Sequence, residues 1–347
     1  MILIIGAGLS GLVTAFRLQQ RGIPFTILEA RSRIGGRIHT TFGNDDCPTE
    51  MGATWFNSSH RDLRELLDEL KINYFEQFMT GTTFYQPDPN SPAKAIEIPQ
   101  QEPSYRIVGG TSALINALYS KLDSKSILLN QTVSRIFIER ESVKVTAIQD
   151  FEGSKVVLAL PAKLWAKKIQ FEPTLPSQLV SIAKETHTWM EDSIKVALRY
   201  EKPFWLEMGQ SGAFFSNSGP ITEFYDHSNH ERTKYSLCGF MSTAYKDLSD
   251  QDRKHNVLMQ LKNTFGDAAL SFTDYQECIW SNEQFTFANS DSFLFPHQNN
   301  GHPIFRKSYF DDRLLISSAE SAEVFPGYMD GAITAGNFAA NMIFEGL

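Results

Sequence analysis

Apolar and polar positions along this chain repeat with two different periods. Ile2–Ile5 is an unbroken apolar run, the pattern of a strand buried on both faces of a parallel sheet. Leu9, Leu12, Val13 and Phe16 then recur at i, i+3, i+4 and i+7, which predicts an amphipathic helix that Gly22 stops. Phe25–Leu28 predicts the next strand, so the chain opens on strand, glycine turn, helix, strand: one βαβ unit. Leu63, Leu66, Leu67 and Leu70 form one stripe of a helix over 62–71, and Gly109-Gly110 opens another reaching about 121. Strands are predicted at 132–139, 142–148 and 156–160. Residues 193–200 alternate strictly, with Ile194, Val196, Leu198 and Tyr200 against Lys195, Ala197 and Arg199, which predicts a half-buried strand of an antiparallel sheet. A buried strand at 313–317 leads into a final helix from 328 to about 344. Between them, residues 86–103 hold five of the chain's 15 prolines, which predicts an irregular loop or small hairpin at a domain margin.

A length of 347 residues suggests about two domains at the usual ~150 residues each. With 42% hydrophobic and 21% charged residues the chain is globular rather than disordered. A net charge of −8 argues against nucleic acid as a general partner. Cys47, Cys238 and Cys278 are odd in number and form no CxxC pair, which argues against a disulfide framework or a cysteine zinc site and fits a reducing cytoplasm. The apolar start has no basic stretch before it, and no run of 18 apolar residues occurs, so a soluble protein without a membrane partner is expected. Asp226-His227-Ser228-Asn229-His230 has HxxH spacing but no third ligand and reads as a loop, so no metal is expected.

Gly6-Ala7-Gly8-Leu9-Ser10-Gly11 is GxGxxG between a strand and a helix. Its glycines allow a tight turn, a close approach to a pyrophosphate and close helix–strand packing, and the helix N-terminus supplies free N–H groups. Glu29, ending the second strand, is placed to take a ribose hydroxyl. The segment continues Ala30-Arg31-Ser32-Arg33-Ile34-Gly35-Gly36-Arg37, a second glycine pair flanked by arginines whose forks suit a diphosphate.

Together these residues resemble the flavin-dependent amine oxidase family, whose pattern GxGxxGLxxAxxLxxxGxxxxxxEAxxRxGGR they follow nearly throughout. The resemblance implies an α/β (α+β) fold: a Rossmann-like FAD-binding domain with a second, substrate domain built on an antiparallel sheet, both discontinuous. Laid on this chain, the family's order gives 1–72, 109–184 and 283–347 for FAD, and 73–108 and 185–282 for substrate. It extends to Glu50-Met51-Gly52-Ala53-Thr54-Trp55, similar to ExGAxW, and to Gly327-Tyr328-Met329-Asp330-Gly331-Ala332, similar to GYMEGA with Asp330 for Glu. Ser318-Ala319-Glu320-Ser321-Ala322 resembles GTETA. The resemblance thus implies cofactor contacts from Gly6, Gly8, Leu9, Ser10, Gly11, Glu29, Ala30, Arg31, Gly35, Gly36, Arg37, Gly52, Ala53, Thr54, Trp55, Val133, Trp280, Glu320 and Met329.

The stretch from Lys195 to Trp205 resembles KVxLxFxxPFW, whose lysine holds a water against flavin N5 and assists reoxidation by oxygen. Read from alternation alone, Lys195 is a solvated residue on a polar face. Tyr328 matches one wall of the family's aromatic cage for a neutral amine. The other wall falls on Asp291 or a neighbour, where no aromatic stands unless Phe285 or Phe287 fills in. Cys278 lies on the wrong side of Trp280 for a flavin linkage, so FAD is expected to be non-covalent. The activity implied is oxidation of an amine by hydride transfer to FAD, with molecular oxygen as acceptor and hydrogen peroxide as product. Three alternatives stay open: a renalase-like oxidase of dihydronicotinamides, a carbon–carbon desaturase, and a flavin-binding module without turnover.

Overall fold

The computed structural model describes residues 1–43, 46–98, 102–290 and 293–346. The N-terminal unit forms as its periodicity predicts: Ile2–Ile5 (β1), Leu9–Gln20 (α1) and Phe25–Leu28 (β2). β1 lies at the centre of a five-stranded parallel sheet, with β2 and then Ile127–Leu128 on one side, Lys155–Leu158 and then Leu314–Ile316 on the other. Every residue of β1 is buried, because α1 covers one face, while the four-stranded sheet that carries Ile136, Val143 and Val145, with the helices that carry Trp165 and Leu179, covers the other.

Helix α1 packs against the C-terminal helix, Met329–Glu345, through small residues. A Cβ on Gly336 would lie 2.7 Å from the Ser10 carbonyl oxygen, so the two backbones are nearly in contact. Leu12, Val13, Ala15 and Leu18 of α1 are fully buried. Each Leu or Val so buried contributes roughly 1.5–3 kcal/mol.

A seven-stranded sheet forms the other half of the molecule. Its order is Phe272–Ile279, Ile194–Tyr200, Tyr235–Met241, Ile221–Asp226, Gln210–Ser216, Thr82–Gln86, Lys94–Ile96. Neighbours are antiparallel except Gln210–Ser216 beside Thr82–Gln86. The proline-rich stretch thus begins as a small hairpin, the strands Thr82–Gln86 and Lys94–Ile96 with Pro87, Pro89 and Pro92 between them; Pro99 lies outside the described residues.

The alternating strand differs from the half-buried expectation: all seven residues from Ile194 to Tyr200 are buried. One face packs on the helix Asp250–Phe265 through Val257, Leu261 and Phe265. The other is roofed by the 47–55 segment, with Met51 against Ala197 and Cys238. Arg199 survives there because Asp274, Thr41, Thr49 and the Cys47 carbonyl meet its guanidinium. A small sheet of Phe56–Asn57, Ser104–Ile107 and Tyr74–Glu76 spans the expected division at 72/73.

Candidate active site

A cleft of about 420 Å³ runs between the parallel sheet and the seven-stranded sheet. Its deep end is the glycine turn. Gly6 adopts φ +104°, and a Cβ there would stand 2.7 Å from the Ala159 carbonyl oxygen. A Cβ on Gly11 would stand 2.1 Å from the Gly6 carbonyl oxygen, so only glycine lets α1 start this close to β1. No side chain caps α1, whose first N–H groups therefore have no acceptor of their own. The Gly35 N–H donates to the Ala7 carbonyl at 2.8 Å, stitching the second glycine pair onto the first.

The Glu29 carboxylate is 4% exposed and accepts the N–H groups of Ala7 at 2.7 Å and Arg31 at 2.9 Å. Each oxygen keeps lone-pair capacity for a hydroxyl donor. Arg31 donates to Glu283 at 3.0 Å and to Thr286 Oγ1 at 2.8 Å. This uncapped helix start, glycine-lined and bordered by arginine and a ribose-competent carboxylate, fits the diphosphate and ribose of a dinucleotide.

The residues expected to contact the cofactor divide by position. Gly6, Gly8, Leu9, Ser10, Glu29, Ala30, Arg31, Gly35, Gly36, Arg37, Gly52, Ala53, Thr54, Trp55, Val133, Tyr328 and Met329 line the cleft. Gly11 lies behind it as the helix–strand contact. Glu320 is fully buried and grips Arg37 through both oxygens, at 2.5 and 3.1 Å. Trp280 is also fully buried, its indole N–H donating to the Met51 carbonyl at 2.7 Å, and does not line the cleft.

Lys195 is not the solvated residue that alternation suggests. It is 0% exposed, one side-chain layer behind the cleft wall. Its Nζ donates to Thr54 Oγ1 at 3.0 Å and lies 4.4 Å from the ring centres of both Trp55 and Phe240. Strand register explains the arrangement: Lys195 opposes Phe240, which opposes Glu223 on the next strand. The Glu223 carboxylate lines the cleft and accepts from Tyr225 Oη at 2.9 Å. At about 4.8 Å per strand it stands roughly 10 Å from Lys195 along the sheet.

The aromatic ring facing Tyr328 within the cleft wall is Trp189, 5.4 Å away, which in turn stacks on His297 at 4.4 Å. His297 adopts φ +62°, in the left-handed region. Neither expected substitute fills this position: Phe285 lines the cleft beside Arg31, and Phe287 lies off the cleft near Lys163. Asp291 is outside the described residues. Trp189, Glu223 and Phe240 are among the cleft residues that sequence reasoning missed. Trp189 sits in an aperiodic stretch, where a lone Trp between Thr188 and Met190 was the available signal; Glu223 was one acid among many on a short strand.

Behind Thr54 is a smaller polar void lined by Glu50, Arg106, Thr111 and His227. Arg106 Nε, His227 Nδ1 and Ser228 Oγ are buried without a hydrogen-bond partner among the described residues. Burial pushes the Arg106 guanidinium down to about 10 and His227 well below its usual value. The Glu50 carboxyl is raised by burial, although the Thr111 N–H and Thr40 hydroxyl oppose that shift. Outside the cleft, His187, Glu191 and Asp192 bring ligand-type atoms within 4.8 Å of one another, but the Lys163 ammonium sits 2.6 Å from Glu191.

Comparison with known proteins decides the family. The profile of the family described as flavin containing amine oxidoreductase matches residues 9–101 and 96–343. The chain belongs to that family. Among similar amine oxidoreductases is a probable flavin-containing monoamine oxidase A of Dictyostelium discoideum, 23% identical, covering 96% of this chain and 95% of the relative. That alignment spans 445 positions against a chain of 347 residues, so the relative carries insertions. A putrescine oxidase of Kocuria rosea is 23% identical over 98% of this chain and 94% of its own. Solved structures sharing the fold include wild-type putrescine oxidase bound to putrescine, with TM-score 0.86 at 22% identity over 99% of this chain and 98% of that one. Cyclohexylamine oxidase from Brevibacterium oxydans IH-35A matches with the same score at 19% identity over the same shares. The mixed α/β fold is thus that of FAD-dependent amine oxidases, and this amine oxidoreductase is an enzyme. Among the described residues no helix is long and apolar enough to cross a membrane.

Proposed function

We propose that this amine oxidoreductase binds FAD non-covalently and oxidises a small amine carrying a second positive charge, a diamine or polyamine, in the cytoplasm. The observation that carries the reading is the continuity of the cleft, from the uncapped α1 terminus and Glu29 to the chamber of Trp55, Phe240, Glu223, Trp189 and Tyr328. FAD bound there would supply the redox chemistry, accepting a hydride from the carbon beside the amine nitrogen at N5 and passing the electrons to oxygen, with hydrogen peroxide as product.

The chain's own residues hold and orient. Gly6, Gly8, Gly35, Gly36 and the α1 N–H groups would receive the diphosphate, Glu29 the ribose, and the N-terminus of the C-terminal helix, with Tyr328 and Met329, the flavin end. Lys195 and Thr54 would position a water and assist reoxidation. Glu223 would anchor the distal ammonium by a charge-assisted hydrogen bond. Cys278 faces a different cavity, and burial pushes its thiol up to about 11, which supports the absence of a covalent flavin link. The FAD-binding part would comprise 1–72, 109–184 and 283–347, and the substrate part 73–108 and 185–282.

The test is anaerobic mixing of the purified yellow protein with primary amines, diamines and polyamines, and separately with dihydronicotinamides, following flavin absorbance. Bleaching by diamines or polyamines is the expected result. Bleaching only by dihydronicotinamides replaces the amine reading, and a protein that nothing reduces leaves a binding module. In the Glu223→Gln variant KM for a diamine should rise by about 10- to 100-fold, the worth of a hydrogen bond to a charged group, while a monoamine is little affected.

A further inference from the structure

Of the three arginines at 31, 33 and 37, Arg31 and Arg37 line the cleft and Arg33 does not. Arg33 faces a second, solvent-open cavity of about 1030 Å³, across the 30–33 turn from the cleft. Its opposite rim is the strand Phe272–Ile279, outermost in the seven-stranded sheet. His39 and the amide side chains of Asn130, Asn282 and Gln284 also face this space.

Two arginines and two glutamates line it, but both glutamates are held by arginines other than Arg33. Glu283 is committed to Arg31 at 3.0 Å, and Glu277 to Arg253, whose Nε it accepts at 2.8 Å. Arg33 makes no ion pair among the described residues. Its Nη1 donates to the carbonyls of Ile34 at 3.2 Å and Ile38 at 3.4 Å, which leaves the Nε–H and Nη2 N–H groups without a protein acceptor. Burial first, and then the like charge of Arg31, disfavour its cationic form, and the Glu283 and Glu29 carboxylates only partly offset this. His39 is held down to about 4, chiefly by burial, so it is neutral and offers one donor without adding charge. A half-buried fork of donors with no ion pair among the described residues, facing an open cavity, is a receptor for an oxyanion.

We propose that this cavity is a second binding site, for an anionic small molecule whose phosphate or carboxylate group is gripped by Arg33. The amides of Asn130, Asn282 and Gln284 complete the cradle. Ala30, Arg31, Gln284 and Phe285 belong to the walls of both cavities, so an occupant braces one side of the cleft without entering it.

The experiment is titration calorimetry of the FAD-loaded protein with inorganic pyrophosphate and, separately, with citrate, at constant ionic strength. Saturable one-to-one binding is expected, weakened about tenfold or more by Arg33→Gln with FAD absorbance retained, the loss expected when a charge-assisted hydrogen bond is removed. Preference for pyrophosphate identifies a phosphate site, and preference for citrate a carboxylate site. Arg33→Lys keeps the charge but not the fork and should bind with intermediate strength, which keeps the test open if the glutamine variant fails to fold. The proposal is overturned by the absence of saturable heat with either anion, or by parental affinity in Arg33→Gln or Arg33→Lys. Loss of FAD from Arg33→Gln overturns it as well, by assigning Arg33 to the cofactor cleft. None of these outcomes depends on whether any amine reduces the flavin.

Discussion

Replacing Glu320 by Gln probes the cofactor reading through stability. The Glu320 side chain is 0% exposed and that of Arg37 is 17% exposed, with two oxygens meeting two guanidinium nitrogens. Glutamine keeps the shape, retains one acceptor and turns an NH₂ group toward the guanidinium. Breaking a buried pair in this way costs about 3 kcal/mol in the cofactor-free protein. At ~2.1 cal/mol/K per residue the unfolding entropy of this chain is about 0.7 kcal/mol/K, so the midpoint should fall by about 4 °C. Arg37 also lines the cleft, where a bound diphosphate would supply the missing negative charge. The penalty should therefore shrink to about half, ~2 °C, in the FAD-loaded protein, and the variant should lose less stability with cofactor than without. Differential scanning calorimetry of both forms measures this. Equal shifts in the two forms would refute contact between Arg37 and the cofactor, and no shift in either would refute the buried pair itself.

Lys195→Met should leave FAD bound and slow reoxidation by oxygen more than reduction by substrate in stopped-flow traces; unchanged reoxidation removes the lysine from that role. Gly11→Ala puts a Cβ 2.1 Å from a backbone oxygen and should cost more than ~4 kcal/mol, so a folded, yellow variant with native circular dichroism contradicts the packing described. For His39, the unfolded side chain takes up a proton near 6.5 and the folded one only at about 4. The unfolded state therefore binds more protons in that window, and stability falls as pH drops through it. Urea titrations across the window should show this slope reduced in His39→Gln. Finally, a crystal structure should show an ordered water within reach of Arg106 Nε and His227 Nδ1, since polar atoms buried this deeply without partners recruit one; a dry void speaks against it.

The glycine-turn end of the cleft was readable because its determinants are local. The glycines at 6, 8 and 11, the helical repeat after them and Glu29 all act within one βαβ unit, and the expected elements form within a residue or two. The opposite end was not, because it is assembled by strand register. Lys195, Phe240 and Glu223 come from three strands whose pairing no single segment announces. Alternation at 193–200 identified the strand but not its burial, since the period of two is the same whether the polar face meets water or the 47–55 segment. Trp189 belongs to a loop, where periodicity carries no information and only the fold decides which ring faces Tyr328.

The contact between Thr14 of α1 and the Gly336 carbonyl joins residues 322 positions apart. At a synthesis rate of ~5–20 residues per second, roughly 15–65 s separate the two on the ribosome. Throughout that interval the face of α1 that meets Gly336 is made but uncovered, and the glycine turn lacks the helix that borders its far end. The cleft wall that includes Tyr328 and Met329 is therefore complete only once the whole chain has been made.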